Sequence, residues 1–418
     1  SDTSDLDISD ILQQDSDTSD LDISDILQQD SDTFDLDISD ILQQDDLYTD
    51  QDTLEEILQS YQEAIKLHPE DADSYYGLGN VYRHQENLTK AAQAYQEAVK
   101  FNPNHTDSYN NLGVTLKEQG RFKEAIQAYN EAIKIDPSDV DVHNNLGNAY
   151  RSQNQLEEAE EAYLRVIELD PDYAYAYNNL GITYRSQNQL EEARKACLKA
   201  IELAPDYANA HYNLGLVYAD QEKLEEAIQA YEKAVELNPE DANASENLKM
   251  GYFNQGNKSY QQGKLEEART AYQKVLQLNS EDANLHYNLG VVYADQGKLE
   301  EATQAYKEAI KLNSDDADAH NNLGDVYRRQ GDLDLAIELI QSVIELHPKN
   351  AEAYLNLGHV YIDQGKLEKA IQAYRQVVLI TASDDEGLKI RQVAATALEQ
   401  LETPESLEEL KGYEIPQQ

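Results

Sequence analysis

Nine histidines and one cysteine are the side chains in this 418-residue chain best suited to hold a metal or attack a substrate. Either role needs company: a metal needs several His, Cys or carboxylate ligands converging on one point, and a nucleophile needs a base within hydrogen-bond reach. The spacing denies both. His143, His211, His286 and His320 stand 34 residues or more apart, each where comparable stretches carry an aromatic residue, and read as core packing. Cys197 takes the place of a tyrosine and reads the same way. No phosphate-cradling glycine loop and no nucleophile elbow accompanies them. The recurrent Leu-Glu-Glu-Ala runs set glutamates at the start of apolar helices, where negative charge suits the helix dipole, rather than facing one another as an acid-base pair. No catalytic residue, cofactor or metal is expected.

Those histidines repeat because the chain repeats. The stretch 106–139, TDSYNNLGVTLKEQGRFKEAIQAYNEAIKIDPSD, recurs every 34 positions through residues 72–384. Each unit predicts two amphipathic helices, the first through Tyr109, Leu112 and Leu116, the second through Phe122, Ala125, Ile126, Tyr129, Ala132 and Ile133, with Gly120 ending the first and Pro137 following the second. Gly113 and Ala125 are small where two helices must approach, and all nine units keep both positions. One such pair cannot bury its own apolar face, so the pairs must stack. The expected fold is all-α, a solenoid of helix-turn-helix pairs.

Tyr109, Leu112-Gly113, Tyr129, Ala132 and Pro137 follow the pattern of the tetratricopeptide repeat family, which the chain resembles over about three quarters of its length. Cys197 and Ile340 depart from the pattern at the second-helix aromatic, and Ser280, Ser314 and Ala382 at the proline. The resemblance, closest to bacterial-type superhelical arrays, implies a superhelix whose first helices line a concave groove that holds protein segments. Asn110, Asn144, Asn178 and Asn321, with Asn111, Asn145, Asn179, Asn213, Asn288, Asn322 and Asn356, then form a ladder along that groove. A primary amide both donates and accepts, so such a ladder can grip an extended backbone whatever its side chains; the competing role is to join neighbouring repeats. One turn onward come Arg83, Lys117, Arg151 and Arg185, with Arg328 and Arg329 near the other end, and between them Tyr212, Leu216, Phe253, Tyr260, Tyr287 and Val291. An acidic partner with a few aliphatic side chains would fit such a surface.

Charge narrows the partners further. A formal net charge of −48 opposes nucleic acid, whose phosphates need clustered Lys and Arg, and anionic membrane surfaces. No run of 18 apolar residues provides a membrane span. A single cysteine allows no intramolecular disulfide and is compatible with a reducing, cytoplasmic setting.

The acidity is uneven: residues 1–53 hold 18 Asp and no Lys, Arg or Glu, leaving −30 for the remainder. There SDTSDLDISDILQQD occurs three times, the third copy with Phe34, and each copy sets three apolar residues at i, i+3 and i+4: Ile8, Ile11 and Leu12, then Ile23, Ile26 and Leu27. The segment reads either as a solvated acidic tail or as a three-copy binding motif whose valency raises affinity. Residues 54–69 match a second helix alone, and the third copy is expected to cap it.

The domain layout is therefore an acidic segment 1–53, a solenoid 54–384 of a half repeat and nine full repeats, a capping helix 385–402 carrying Leu388, Val393, Leu398 and Leu401, and a tail 403–418. Seven extra residues, 242–248, interrupt the register after the fifth full repeat, lengthening one first helix or kinking it. The function this implies is a noncatalytic scaffold or adaptor for proteins or peptides. Its alternative is self-assembly into oligomers or filaments, with the acidic motifs of one molecule in the groove of the next; the regulatory part of an enzyme comes third.

Overall fold

The computed structural model describes residues 51–278, 281–380 and 385–401, which form 20 α-helices and, among the described residues, no strand. The acidic copies, their motif residues and the expected cap at residues 31–45 lie outside the described residues, as do Ser280, Ala382 and the tail. Two compact units divide after Pro171. The first contains α1 (Gln51–Leu67), α2 (Ala72–His84), α3 (Leu88–Phe101), α4 (Thr106–Glu118), α5 (Phe122–Ile135), α6 (Val140–Ser152) and α7 (Leu156–Leu169). The second opens with α8 (Ala174–Ser186), α9 (Leu190–Leu203), α10 (Ala208–Asp220), α11 (Leu224–Leu237) and α12 (Ala242–Gln261). It continues through α13 (Leu265–Leu278), α14 (Ala283–Asp295), α15 (Leu299–Leu312), α16 (Ala317–Gln330), α17 (Leu333–Leu346), α18 (Ala351–Asp363), α19 (Leu367–Ile380) and α20 (Asp385–Leu401).

In the first unit α2/α3, α4/α5 and α6/α7 are repeat pairs, and each helix packs on the next. Caps begin the helices: Asp71 accepts from the Ser74 amide and Asp139 from the Val142 amide, satisfying donors that a first turn leaves free. Tyr95, Tyr129 and Tyr163 are fully buried, and each ring lies across the glycine of its partner helix, where a Cβ at Gly113 would sit 2.5 Å from Tyr129 Cε1 and one at Gly147 2.6 Å from Tyr163 Cε1. The glycine is there to make room for a ring. Ala91, Ala125 and Ala159 are likewise fully buried. Helix α1 is a second helix without a first; its Ile57 is buried and its Tyr61 ring fills the space that a Cβ on Gly77 would need.

The second unit repeats this pairing through α8/α9 and α10/α11, then α12/α13 to α18/α19. Cys197 and Ile340 fill the tyrosine place against Gly181 and Gly324, and both are fully buried. Burial pushes the Cys197 thiol up to about 12, so it stays protonated at neutral pH. Residues 242–248 are the first two turns of the 20-residue α12. Seven residues is close to two full turns, so the helix face is kept while two registers overlap. Asn247 in the front half donates to the Tyr212 hydroxyl at 3.3 Å, as the asparagines of ordinary repeats do, and Gly256 in the rear half takes the Tyr272 ring. In α20 the apolar stripe differs from the one expected. Ile390, Ala394, Ala397, Leu398 and Leu401 face the preceding pair, whereas Leu388 and Val393 are about half exposed, because the inward run follows 390, 394, 397, 398 and 401.

The turn inside each pair needs one left-handed residue. Gly120 supplies it at φ 74°, but Glu86, Asn154, Asn188 and Glu222 adopt the same region with a side chain, at φ 56° to 60°. Replacing Glu222 with Gly should therefore raise stability by about 1 kcal/mol, read as a higher melting temperature. Gly147→Ala should do the reverse, costing roughly 1–3 kcal/mol as the Tyr163 ring is forced aside; an unchanged melting temperature would sink the close-contact assignment.

Candidate binding surface on the first helices

Successive first helices touch, among them α4 with α6 and α8 with α10, so equivalent residues line up in rows. The row nearest the helix starts is Tyr76, Asn110 and Asn144 in the first unit, and Asn178, Tyr212, Phe253, Tyr287 and Asn321 in the second. Tyr76, Tyr212, Phe253 and Tyr287 lean on the buried tyrosines of their own repeats with centroids 5.9–6.0 Å apart.

The neighbouring asparagines largely tie one repeat to the next. Asn111 Nδ2 donates to Asn80 Oδ1 at 3.2 Å and to the Tyr76 hydroxyl at 3.4 Å, and Asn145 Nδ2 donates to Asn110 Oδ1 at 3.1 Å. Asn213 Nδ2 reaches Asn178 Oδ1 at 2.8 Å and Asn322 Nδ2 the Tyr287 hydroxyl at 3.1 Å. Asn178 and Asn321 are buried, donating to Tyr207 and Asn350 respectively. Asn110, Asn144, Asn179 and Asn288 are half-buried.

A second layer lay outside the sequence reading. Asn80, Asn148 and Asn257 accept hydrogen bonds from Tyr95, Tyr163 and Tyr272 at 2.6–2.9 Å. Burial holds the Tyr163 phenol up to about 12, so it remains a donor. In the repeat between Asn80 and Asn148 the corresponding residue is Val114, and the Tyr129 hydroxyl is buried without a hydrogen-bond partner.

The cationic row is also partly spent. Arg83 meets Glu118 at 3.4 Å, Arg185 meets Asp220 at 2.6 Å and Arg328 meets Asp363 at 2.8 Å, always a carboxylate 35 positions later. Tyr260, at the cation's place, donates to Asp295 across the same interval. Arg329 instead donates to the Ala294 carbonyl at 2.8 Å. Lys117 and Arg151 take part in no ion pair among the described residues; Arg151 Nη2 donates to Asn148 at 3.3 Å, and the residue 35 positions after Lys117 is Ser152. Burial lowers the Lys117 ammonium below the usual lysine range, with Glu118 opposing that shift and Arg83 and Arg151 adding to it. The interval of 35, visible as Arg83/Glu118 and Arg185/Asp220, is the signal that would have separated paired from unpaired cations.

Two of the histidines singled out above bind backbone carbonyls. His143 is buried with Nε2 3.1 Å from the Pro137 carbonyl oxygen, and His211 makes the same contact to Pro205 at 2.9 Å. Among the described residues no cluster of His, Cys, Asp or Glu could hold a metal ion, and no helix is long and apolar enough to cross a membrane.

Residues 105–321, just over half of the chain, match the family model described as the cilia and flagella-associated protein 70 C-terminal domain. Residues 315–380 match a tetratricopeptide repeat model, and residues 46–85 and 79–120 a second one. The chain belongs to the tetratricopeptide repeat proteins that these models describe. No curated protein matches its sequence. Similar solved structures include YrrB, described as a TPR protein with an unusual peptide-binding site, at 24% identity over 45% of this chain and 96% of that one, with a TM-score of 0.38. MamA is 28% identical over 40% of this chain and 96% of its own, with a TM-score of 0.37. The C-terminal part of a repeat protein from Cytophaga hutchinsonii is 16% identical over 57% of this chain and 95% of its own, with a TM-score of 0.49.

The tie between repeats is testable at its most buried rung. Asn213→Ala should strand the Oδ1 of Asn178 and cost about 1–3 kcal/mol. Urea unfolding reads the loss, and a change within a few tenths of a kcal/mol would count against the rung.

Proposed function

We propose that this chain is a noncatalytic scaffold that holds acidic segments of other proteins on the first helices of its amino-terminal unit. Tetratricopeptide repeats are interaction modules in general; the observation that carries the more specific reading is the row Arg83, Lys117 and Arg151, in which Lys117 and Arg151 lack the carboxylate given to Arg83, in a chain whose net charge is −48. Asn110 and Asn144 lie alongside, half-buried, with amide groups suited to an extended backbone. Charged side chains of this exposure contribute modestly one by one, so the affinity arises from the row acting together.

The test is a set of acidic-aliphatic 15-residue peptides, each with an Asp→Asn counterpart, titrated into the full chain and into the Asn110→Ala, Lys117→Ala, Asn144→Ala, Arg151→Ala variant. Affinity for the acidic forms should fall at least about tenfold, a 1.4 kcal/mol loss, with helical content unchanged. Equal binding by the variant, or by the neutral peptides, would overturn the reading.

A further inference from the structure

Each of Arg83, Arg185 and Arg328 is answered by a carboxylate from 35 positions further on. Lys117 occupies the same place on α4, but Ser152 stands where its carboxylate would be. Val114, three residues before Lys117 on the same helix, is partly buried and adds apolar surface beside the ammonium. An acceptor carrying negative charge would pair with the ammonium.

We propose that the occupant is this chain's own acidic motif, DLDISDILQQD, with an aspartate set at Lys117 and its isoleucines against Val114. The inference rests on the binding reading above and names the segment. Residues 1–53 carry 18 Asp and no Lys, Arg or Glu, so the complementary charge is the densest in the chain and is tethered to the same unit through α1. Reach is sufficient. Lys117 lies three helices beyond α1, about 30 Å at 8–10 Å between axes, whereas the 11 residues from Asp40 to Gln51 span up to about 35–40 Å when extended. Aspartates of the earlier copies have longer tethers.

A zero-length carbodiimide, which joins an amine to a carboxylate with loss of water, reads the contact directly in the full chain. Mass spectrometry should find Lys117 joined to aspartates of residues 1–45 at least about ten times more often than exposed Lys90 or Lys123 is. The yield should collapse at 1 M salt, where the Debye length is about 3 Å instead of about 10 Å at 0.1 M. A mixture of isotopically light and heavy chains tells docking within a molecule from docking between copies, and either supports the proposal. Neutralising Asp7, Asp10, Asp22, Asp25, Asp37 and Asp40 to Asn should abolish the link and strengthen binding of an added SDTSDLDISDILQQD peptide severalfold. Links spread evenly over exposed lysines, or unaffected by those substitutions, overturn the proposal. Should that peptide fail to bind the neutralised chain while unrelated acidic peptides bind it through Lys117, the occupant is wrong and the binding reading stands; if no acidic peptide binds, both fall.

Discussion

A tyrosine ring packed against a glycine limits how the two helices of nearly every repeat can approach, and the other features of the structure depend on it. With the ring of Tyr129 against Gly113, no Cβ fits between them. The two helices are thereby held at one spacing, Ala125 and Ala132 are sealed behind the ring, and the pair presents an apolar flank that the next pair must cover. Where the ring is replaced, by Cys197 or Ile340, the place is still filled by a fully buried group.

Polar groups between repeats do different work from this apolar spacing. A hydrophobic flank tolerates small slips, whereas the Asn145–Asn110 and Asn213–Asn178 bonds exist only in one register. The same holds for the ion pairs from Arg83 to Glu118 and from Arg185 to Asp220, each exposed enough to contribute little energy but placed to favour one alignment. Helix α12 shows the rule under strain. Its seven additional residues shift the sequence against the repeat, yet Asn247 still finds Tyr212 and Gly256 still finds Tyr272, because two helical turns return the chain to nearly the same face.

The fold was legible in the sequence because its signals are local and periodic: small residues at Gly113 and Ala125, a ring at Tyr129, a turn at Gly120. The inward stripe of α20 was less so, since a single terminal helix has no repeat to fix its phase, and Leu388 and Val393 are as apolar as Ile390 and Ala394. The candidate surface was legible in outline only. Residue type named the asparagines and cations, but whether Asn178 faces a ligand or a neighbouring repeat is decided by a partner 35 residues away. The layer formed by Asn80 and Asn148 under Tyr95 and Tyr163 escaped notice because its acceptor and its donor belong to different helices of one pair.

Once the interactions that hold the repeats together are subtracted, the surface that remains for a ligand is smaller and more one-signed than the ladder of asparagines suggested. In the first unit its charged part is Lys117 and Arg151, beside Asn110, whose Oδ1 already accepts from Asn145. A positive place of this kind is unusual in a chain carrying 81 acidic and 33 basic residues, and its charge is costly to keep: three cations stand on neighbouring helices and Lys117 is held below the ordinary lysine range by burial and by Arg83 and Arg151. A serine-to-aspartate change at Ser152 would relieve that repulsion in the manner already used at Glu118. The chain instead leaves Lys117 without a carboxylate partner among the described residues, so the repulsion between the three cations is not offset at this place.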